Sequence, residues 1–312
     1  APHAMDYGMW ILIACPFILC SLILNIGLRY EGQAFYAMFG LTAGGLLNIF
    51  GDYYLVIKCG LGVYGAGLAT GASQVVSFSI LLFMYLKMAQ SSIQLKAVSK
   101  DFRLYLTICK VGLPSLIRQG LTSVTNGLLN NLTKPFGDAA IAAMSVVSRY
   151  SNFLMCVGLG MGQGFQPVAS FNYQAKRVDR VKKGLLFTTA FGLVFIGAMS
   201  TISIIFAEPI ISIFQKHPDV IAIGSKALRF TAIGMMFMPF SVPVNMLYQS
   251  IQQPTISSVL SLIRSGMVTI PILLFGVPIL GLLGIQIAQP TADMIAGLIS
   301  IPFIIRFMRK PD

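Results

Sequence analysis

Long apolar stretches separated by short polar connections constrain this chain more than any other feature. Each stretch has about 20 residues or more, which is enough for a helix to cross a hydrocarbon core of roughly 30 Å. Only 10% of the residues are charged, whereas about one quarter are charged in a typical soluble domain. The strict alternation of an outer-membrane barrel is absent from the sequence. We therefore predict an all-α polytopic membrane protein.

Nine membrane-spanning helices are predicted from the apolar stretches. The expected spans are 9–28, 34–57, 64–88, 111–132, 138–168, 184–206, 225–248, 256–281 and 283–306.

The distribution of basic residues predicts the orientation. The net charge is +12, and fourteen Lys and Arg side chains fall on one side of the predicted spans against five on the other. Cytoplasmic connections are enriched in Lys and Arg, so the richer side and the C-terminus are expected in the cytoplasm. This pattern explains the basic charge without a nucleic-acid partner. The five cysteines are scattered, and we expect neither disulfides nor a metal site from them.

Two parts of the chain resemble each other, which predicts a duplicated helical unit without inversion. Offsets of 219 or 220 residues relate identical residues in both parts. The matched pairs are Asn25 with Asn245, Gln33 with Gln253, Gly62 with Gly281, Gly65 with Gly284, and Ala69 with Ala288.

The repeat also predicts the domain organisation. We expect residues 1–90 to form the C-terminal half of a first helical bundle, 91–110 a cytoplasmic linker and 111–312 a second bundle. Spans four to six have no partner upstream, so the duplication implies two bundles of six helices. The chain is therefore expected to lack about three spans of the first bundle.

Several segments resemble the MATE family of multidrug and toxic compound extrusion transporters. They are "LRYEGQ", "LNIFGDYYLV", "GVYGAGLAT", "KVGLPSLIRQG", "GDAAIAAMSVVSRY" and "GMGQGFQPVASFNYQAKRVDRVKK". The resemblance covers essentially the whole chain. It implies a MATE-like fold of two six-helix bundles and a cation-coupled antiporter that exports amphipathic, often cationic compounds.

A carboxylate in an apolar stretch is the first candidate for function. Asn48 and Asp52 are four residues apart and share a helix face with Gly40 and Gly44. Small residues at this spacing suit a face that packs against another helix. Thr70 lies at a similar depth in the next, antiparallel span. The resemblance implies that Asn48, Asp52 and Thr70 belong to a site for the coupling ion, H⁺ or Na⁺. The alternative is an Asp near a helix end that is simply capped or solvated.

Other polar residues within the spans are candidates for the substrate path. Arg149 is expected either to face a cavity or to bond backbone carbonyls. Asn126 and Asn130 are expected to contact substrate or to bond neighbouring helices, whereas Gln163 and Gln166 flank a glycine-rich packing or bending element. Further polar residues are Arg118 and Arg264, which are expected to snorkel to the cytoplasmic interface, and Asp293, a further candidate for the cavity.

The function predicted from these features is cation-coupled export of small amphipathic, cationic compounds by alternating access. One alternative is a flippase for a lipid-linked substrate, which predicts Arg118, Arg149 and Arg264 around one cavity. The other alternative is a membrane enzyme or a channel, but the sequence has neither a recognisable set of catalytic residues nor a loop that resembles a selectivity filter. We expect a plasma-membrane protein that acts as a monomer when intact. Its expected partners are the lipid bilayer and small-molecule substrates, with no cofactor beyond the coupling ion.

Overall fold

Two compact units make up the structure, a computed structural model that describes residues 2–91 and 99–310. The first unit comprises residues 1–100 and the second residues 101–312. Every regular element in the described part of the chain is helical. The predicted all-α class is therefore confirmed.

The described residues of the first unit form a bundle of three helices. These are α1 (Pro2–Tyr30), α2 (Ala34–Lys58) and α3 (Gly62–Met88). The last turn of α2, Tyr53–Lys58, is π-helical. All three helices are long and apolar enough to span a membrane, as predicted.

The second unit contains eight helices among the residues described. They are α4 (Phe102–Thr133), α5 (Asp138–Gln174), α6 (Val178–Ile205), α7 (Ala207–Phe214), α8 (Pro218–Met235), α9 (Met238–Ser250), α10 (Pro254–Leu280) and α11 (Leu282–Met308). Two segments of α10, Ile263–Met267 and Ile272–Gly276, are π-helical.

The number of membrane spans differs from the predicted nine. Among the described residues, seven helices are long and apolar enough to cross a membrane, and the number rises to eight if α8 and α9 form one span. These two helices meet at a bend of 48°, where Pro239 at the start of α9 lacks the N–H needed to continue the preceding helix. The predicted span 111–132 lies in α4, which is long enough but too polar to qualify.

The predicted linker at 91–110 also differs from the structure at its end. Helix α4 begins at Phe102, because the Asp101 side chain accepts a hydrogen bond from the backbone N–H of Arg103 at 2.9 Å and caps the helix. The boundary between the two units falls at Lys100 and Asp101. Residues 92–98 of the predicted linker lie outside the described part of the chain.

A buried asparagine demonstrates the internal repeat. Asn25 Nδ2 donates to the carbonyl oxygen of Ala37 at 2.7 Å, and Asn245 Nδ2 donates to that of Ser257 at 2.8 Å. The donor and the acceptor of the second bond each lie 220 positions after the donor and the acceptor of the first. A buried amide requires a hydrogen-bond partner, so each Asn ties the end of one helix to the start of the next.

The connections between helices repeat as well. Gly32 and Gln252, again 220 positions apart, both adopt a positive φ, of 81° and 59°. Gly62 and Gly281 do so at an offset of 219, with φ of 54° and 59°. A left-handed residue lets a helix end within a tight turn. The duplication predicted from the sequence is therefore confirmed by the matching turns.

An exposed carboxylate stabilises the first of these turns. Glu31 accepts hydrogen bonds from the Ser91 hydroxyl and from the backbone N–H groups of Gln90 and Ser91 just after α3. The Ser91 hydroxyl, followed by these two N–H groups, lowers the pKa of the Glu31 carboxyl against the opposing effect of desolvation. The contact between this turn and the end of α3 is therefore strongest above the ordinary pKa of a glutamate and is lost as the pH falls.

Glycines allow α2 and α3 to pack closely. A Cβ atom on Gly40 would lie 2.5 Å from the side chain of Leu81, and one on Gly44 would lie 2.6 Å from Cβ of Ser77. The Ser77 hydroxyl donates to the carbonyl oxygen of Gly40 at 3.0 Å. The prediction that this face of α2 turns into the bundle is confirmed.

Three hydrophobic clusters lie among the described residues of the second unit, and two of them show how its helices are joined. The first includes Met144, Leu228 and Ile285 and joins α5, α8 and α11. The second includes Phe165 and Leu247 and joins α5 to α9. Helix α4 packs mainly against α10. Residues of α4, α5, α8, α10 and α11 together line a polar cavity in this unit.

Replacing Gly44 by valine is expected to destabilise the chain, since the added methyl groups would overlap Ser77. Overpacking of this kind costs about 1–3 kcal/mol. Gly45 provides the matched control, because a Cβ atom at that position meets nothing within 4 Å. We expect Gly44→Val to lower the free energy of unfolding in detergent by that amount and Gly45→Val to change it little. Equal effects of the two variants would contradict the close packing of α2 on α3.

Candidate functional site

The first unit brings two of its three predicted site residues into contact. Asn48 Nδ2 donates to the Thr70 hydroxyl oxygen at 3.2 Å, and that hydroxyl donates to the carbonyl oxygen of Ala66 at 2.9 Å. The bond between Asn48 and Thr70 joins α2 to α3. The side-chain oxygen of Asn48 lies on the same amide and is an acceptor.

Asp52 lies one helical turn beyond Asn48 on the same face of α2. Its Oδ1 atom is buried and accepts no hydrogen bond from any described residue. Helices α2 and α3 touch beside it, because a Cβ atom on Gly51 would lie 3.1 Å from Cβ of Ala69. This oxygen is not capped, although the Asp52 side chain as a whole is only half-buried. A carboxylate oxygen without a donor is costly when water is excluded, so it is suited to take up a proton or a cation.

The backbone changes directly after this carboxylate. The π-helical turn of α2 starts at Tyr53, the residue that follows Asp52. Single π-helical turns occur frequently at functional sites. The first-unit site is defined here as Asn48, Asp52 and Thr70.

The second unit contains a separate cavity of about 120 Å³. Hydroxyl and amide groups from α4 and α5 meet amides from α11 there, and methionines cover part of the wall. We refer to this space as the second-unit cavity. Its lining residues include Asn126, Ser151, Met155, Arg264, Gln289 and Asp293.

A buried ion pair lies at this cavity. Arg264 Nε donates to Asp293 Oδ1 at 2.9 Å, and the two side chains are only 9% and 5% exposed. Gln289 Nε2 donates to the other carboxylate oxygen at 3.4 Å. The expectation that Arg264 snorkels to the interface is therefore wrong, because a carboxylate on the facing helix provides a partner within the unit. The assignment of Asp293 to the cavity is confirmed.

Arg118 is half-buried and lies near this ion pair. Its guanidinium lines a smaller pocket of about 20 Å³ together with Arg264, and its Nε atom is buried without a hydrogen-bond partner among the described residues. Helix α4 faces α10 at this level, which explains why Arg118 points toward Arg264.

The predicted substrate-path residues are only partly brought together. Asn126 lines the second-unit cavity. Arg149 and Asn130 are exposed, and Gln163 and Gln166 are half-buried; none of these four lines that cavity or the smaller pocket.

Gln166 takes part in a polar contact between three helices. Its Nε2 atom donates to Gln249 Oε1 at 3.1 Å, and Gln249 Nε2 donates to the Val111 carbonyl oxygen and the Ser115 hydroxyl at 3.0 and 3.1 Å. The contact joins α5, α9 and α4. Gln166 therefore has a packing role, as its first interpretation from the sequence predicts.

The pairing of Arg264 with Asp293 was not predicted, although the sequence contains a signal for it. One span carries an internal Arg, and the next carries an internal Asp across a tight turn. Antiparallel neighbours of this kind place opposite charges within reach. The repeat offsets pair Arg264 with Gly44 and Asp293 with Gln74, so the first unit has uncharged residues at both positions of the ion pair.

Comparison with known proteins relates the chain to one group of transporters. The family model described as MatE matches residues 114–275. The multidrug export protein MepA of Staphylococcus saprophyticus is 24% identical over 289 residues, which cover 92% of this chain and 63% of that protein. MepA of Staphylococcus haemolyticus is 21% identical over 309 residues, which cover 99% of this chain and 68% of that protein. The chain thus spans less than two thirds of the first relative's length.

Solved structures have the same fold. A crystal structure of MATE in the bent conformation superposes with a TM-score of 0.85 at 24% identity, covering 98% of this chain and 69% of that one. The outward-facing conformation of a multidrug resistance MATE family transporter of the MOP superfamily gives 0.86 at 22% identity, covering 98% and 70%.

Removing one partner of the buried ion pair is expected to destabilise the second unit strongly. Asp293→Leu leaves the Arg264 charge buried and unpaired, which costs about 3–5 kcal/mol. The double variant Arg264→Met with Asp293→Leu removes both charges and is expected to recover most of this loss. The free energy of unfolding in detergent is the quantity to measure.

The exposed pair of Arg229 and Glu208, 3.3 Å apart, serves as the control. Exposed pairs contribute about 0–1 kcal/mol, so Glu208→Leu should have a small effect. A double variant as unstable as Asp293→Leu alone would contradict the buried pairing.

Proposed function

Because this chain belongs to the MatE family, we propose that it exports small molecules across the plasma membrane as a cation-coupled antiporter. Two similarities support the proposal: the match to multidrug export proteins over more than nine tenths of this chain and the transporter fold. Several apolar helices of spanning length make it a multi-pass membrane protein. The family consists of transporters, so the chain is not assigned an enzymatic activity.

The buried, unpartnered Oδ1 of Asp52 is the single observation that carries the coupling proposal. A carboxyl group that binds a proton gains a hydrogen-bond donor of its own. Alternatively, Asp52 and the oxygens of Asn48 and Thr70 supply the hard ligands that suit Na⁺. Either a proton or Na⁺ would provide the partner that Asp52 Oδ1 lacks.

Ion binding at Asp52 would act through the contact between α2 and α3. A protonated carboxyl donates a hydrogen bond that the ionised form lacks. That change alters which arrangement of the first unit is favoured and so shifts the population between access states. A bound ion drives export only to the extent that it binds one state better than the other.

We propose small, amphipathic, cationic compounds as the substrates. The second-unit cavity combines hydrogen-bonding groups with adaptable methionines such as Met155, which suits binding of varied apolar groups. Drug-sized ligands occupy pockets of about 300–1,000 Å³. A cavity of about 120 Å³ therefore admits only part of such a substrate.

The flippase alternative is favoured by one observation and opposed by another. Arg118 and Arg264 line the same small pocket, as a site for a lipid-linked phosphate requires. Arg149, the third predicted arginine, is exposed and lies outside that pocket. Transport assays that compare a fluorescent cation with a fluorescent lipid-linked phosphate distinguish the two functions.

We further propose an orientation with the basic connections and the C-terminus in the cytoplasm. Fourteen of the Lys and Arg residues then lie on the inner side, as the positive-inside rule requires. The proposed partners are the lipid bilayer and small-molecule substrates, the proposed state is a monomer, and neither a cofactor nor nucleic acid is assigned.

Replacing Asp52 by asparagine is expected to abolish export driven by a pH or Na⁺ gradient. The amide keeps the size of the side chain but neither titrates nor carries the charge that binds a cation. Efflux of a fluorescent cation from membrane vesicles that contain the encoded protein is the measurement. Unchanged membrane levels of the variant establish that the loss is functional.

Asp219→Asn is the matched control, because this carboxylate is exposed near the start of α8. We expect its efflux rate to equal that of the wild type. Coupled efflux that survives Asp52→Asn, or an equal loss in both variants, would exclude Asp52 as the coupling residue.

The orientation predicts opposite labelling of two exposed cysteines. Cys59 follows α2 on the proposed outer side, and Cys109 lies near the start of α4 on the inner side. In variants that retain one of the two as the sole cysteine, a membrane-impermeant maleimide added to whole cells should label Cys59 alone. Labelling of Cys109 before permeabilisation would reverse the topology.

A further inference from the structure

The second unit holds more positive charge in its interior than its own carboxylate neutralises. The smaller pocket and the second-unit cavity are both lined by Arg264 and Ser265. The charged residues that line the two are Arg118, Arg264 and Asp293. Two arginines and one carboxylate leave a net charge of one positive unit, and the two guanidinium groups repel each other.

The N–H groups of these arginines are incompletely used. Arg264 gives Nε to Asp293, but Nη2 has only the thioether sulfur of Met155, at 2.9 Å. Sulfur of this kind is a weak acceptor. Arg118 Nε is buried and has no partner within the described residues. A buried donor that bonds neither water nor protein is costly, and more so when it is charged.

Hydroxyl and amide groups complete the lining around the two arginines. Ser241, Ser261 and Asn245 line the smaller pocket, and Asn245 already donates to the Ser261 hydroxyl at 2.8 Å. The smaller pocket, at about 20 Å³, is large enough for one water-sized group such as an oxygen atom, which needs at least about 10–15 Å³. Beyond Arg264, the larger cavity has room for the rest of a small polar group.

We propose that Arg118 and Arg264 form a binding site for a phosphate group in the second unit. Guanidinium groups bind phosphate through paired, charge-assisted hydrogen bonds. A phosphate group has more oxygens than the two of a carboxylate. It can therefore accept hydrogen bonds from two guanidinium groups on different helices. Its negative charge offsets the excess positive charge. The phosphate comes either from a soluble ion or molecule or from a lipid headgroup.

This site is separate from the coupling site of the first unit. Asp52 plays no part in it, because Asp52 belongs to the first unit and both arginines belong to the second. Phosphate binding is measured without any transport step. The failure of this proposal and the failure of cation-coupled export are therefore distinguishable.

Binding of radiolabelled inorganic phosphate is the test, with the purified chain in nanodiscs of neutral phosphatidylcholine at constant ionic strength set with chloride. We expect saturable binding of one phosphate per chain. Arg118→Gln removes the unpartnered donor and should weaken binding at least about tenfold, as expected for loss of a charge-assisted hydrogen bond. Arg118→Lys keeps the charge without the planar guanidinium and should weaken it less.

Arg149→Gln is the control, because this arginine is exposed and lines neither space. Its affinity should match the wild type. Affinity that is unchanged in both Arg118 variants, or lowered equally by Arg149→Gln, would overturn the proposal. If Arg118→Gln does not fold, Arg118→Lys alone decides the test.

Nanodiscs that contain phosphatidylglycerol identify the source of the phosphate. Competition with inorganic phosphate that Arg118→Gln weakens strongly and Arg118→Lys weakens less supports a site for a lipid headgroup. Binding of inorganic phosphate that phosphatidylglycerol leaves unchanged supports a site for a soluble phosphate. Both a lipid headgroup and a soluble phosphate would be excluded if inorganic phosphate did not bind saturably and if phosphatidylglycerol had no effect that depends on Arg118.

Discussion

The cost of holding a charged group away from water governs the polar interior of both units. An ionised side chain in such a place must find a partner, change its protonation state or bind an ion. The buried pair of Arg264 and Asp293 follows the first course. Asp52 and Arg118 each bury a polar atom without a protein partner. The coupling site and the phosphate site are therefore proposed at those two residues.

The duplicated architecture explains how one fold carries two different polar sites. Each unit repeats the asparagine bond between successive helices, at 2.7 and 2.8 Å. On this common framework the first unit keeps Gly44 where the second has Arg264. The glycine permits close packing of α2 on α3, and the arginine instead requires a carboxylate opposite. The units have diverged in polar chemistry while they retain the same turns.

Much of this was predictable from the sequence because it depends on local pattern. Apolar length predicts the helices, and the spacing of Gly40 and Gly44 predicts the packed face of α2. The pairing of Arg264 with Asp293 and the burial of Arg118 were not predicted, because each depends on which faces of separate helices meet. The number of spans differs for the same reason. A helix that packs against other helices can contain polar residues, as α4 does, or be interrupted by a bend, as at Pro239, whereas an isolated apolar span cannot.

Infrared difference spectroscopy of Asp52 tests the central claim most directly. The carbonyl stretch of a protonated carboxylic acid is distinct from that of a carboxylate, so titration of the purified protein reports which carboxyl groups exchange protons. The account predicts a titrating band that disappears in Asp52→Asn and that diminishes when Na⁺ displaces the proton, if both ions use the site. A spectrum of Asp52→Asn that is identical to that of the wild type throughout the titration would contradict it.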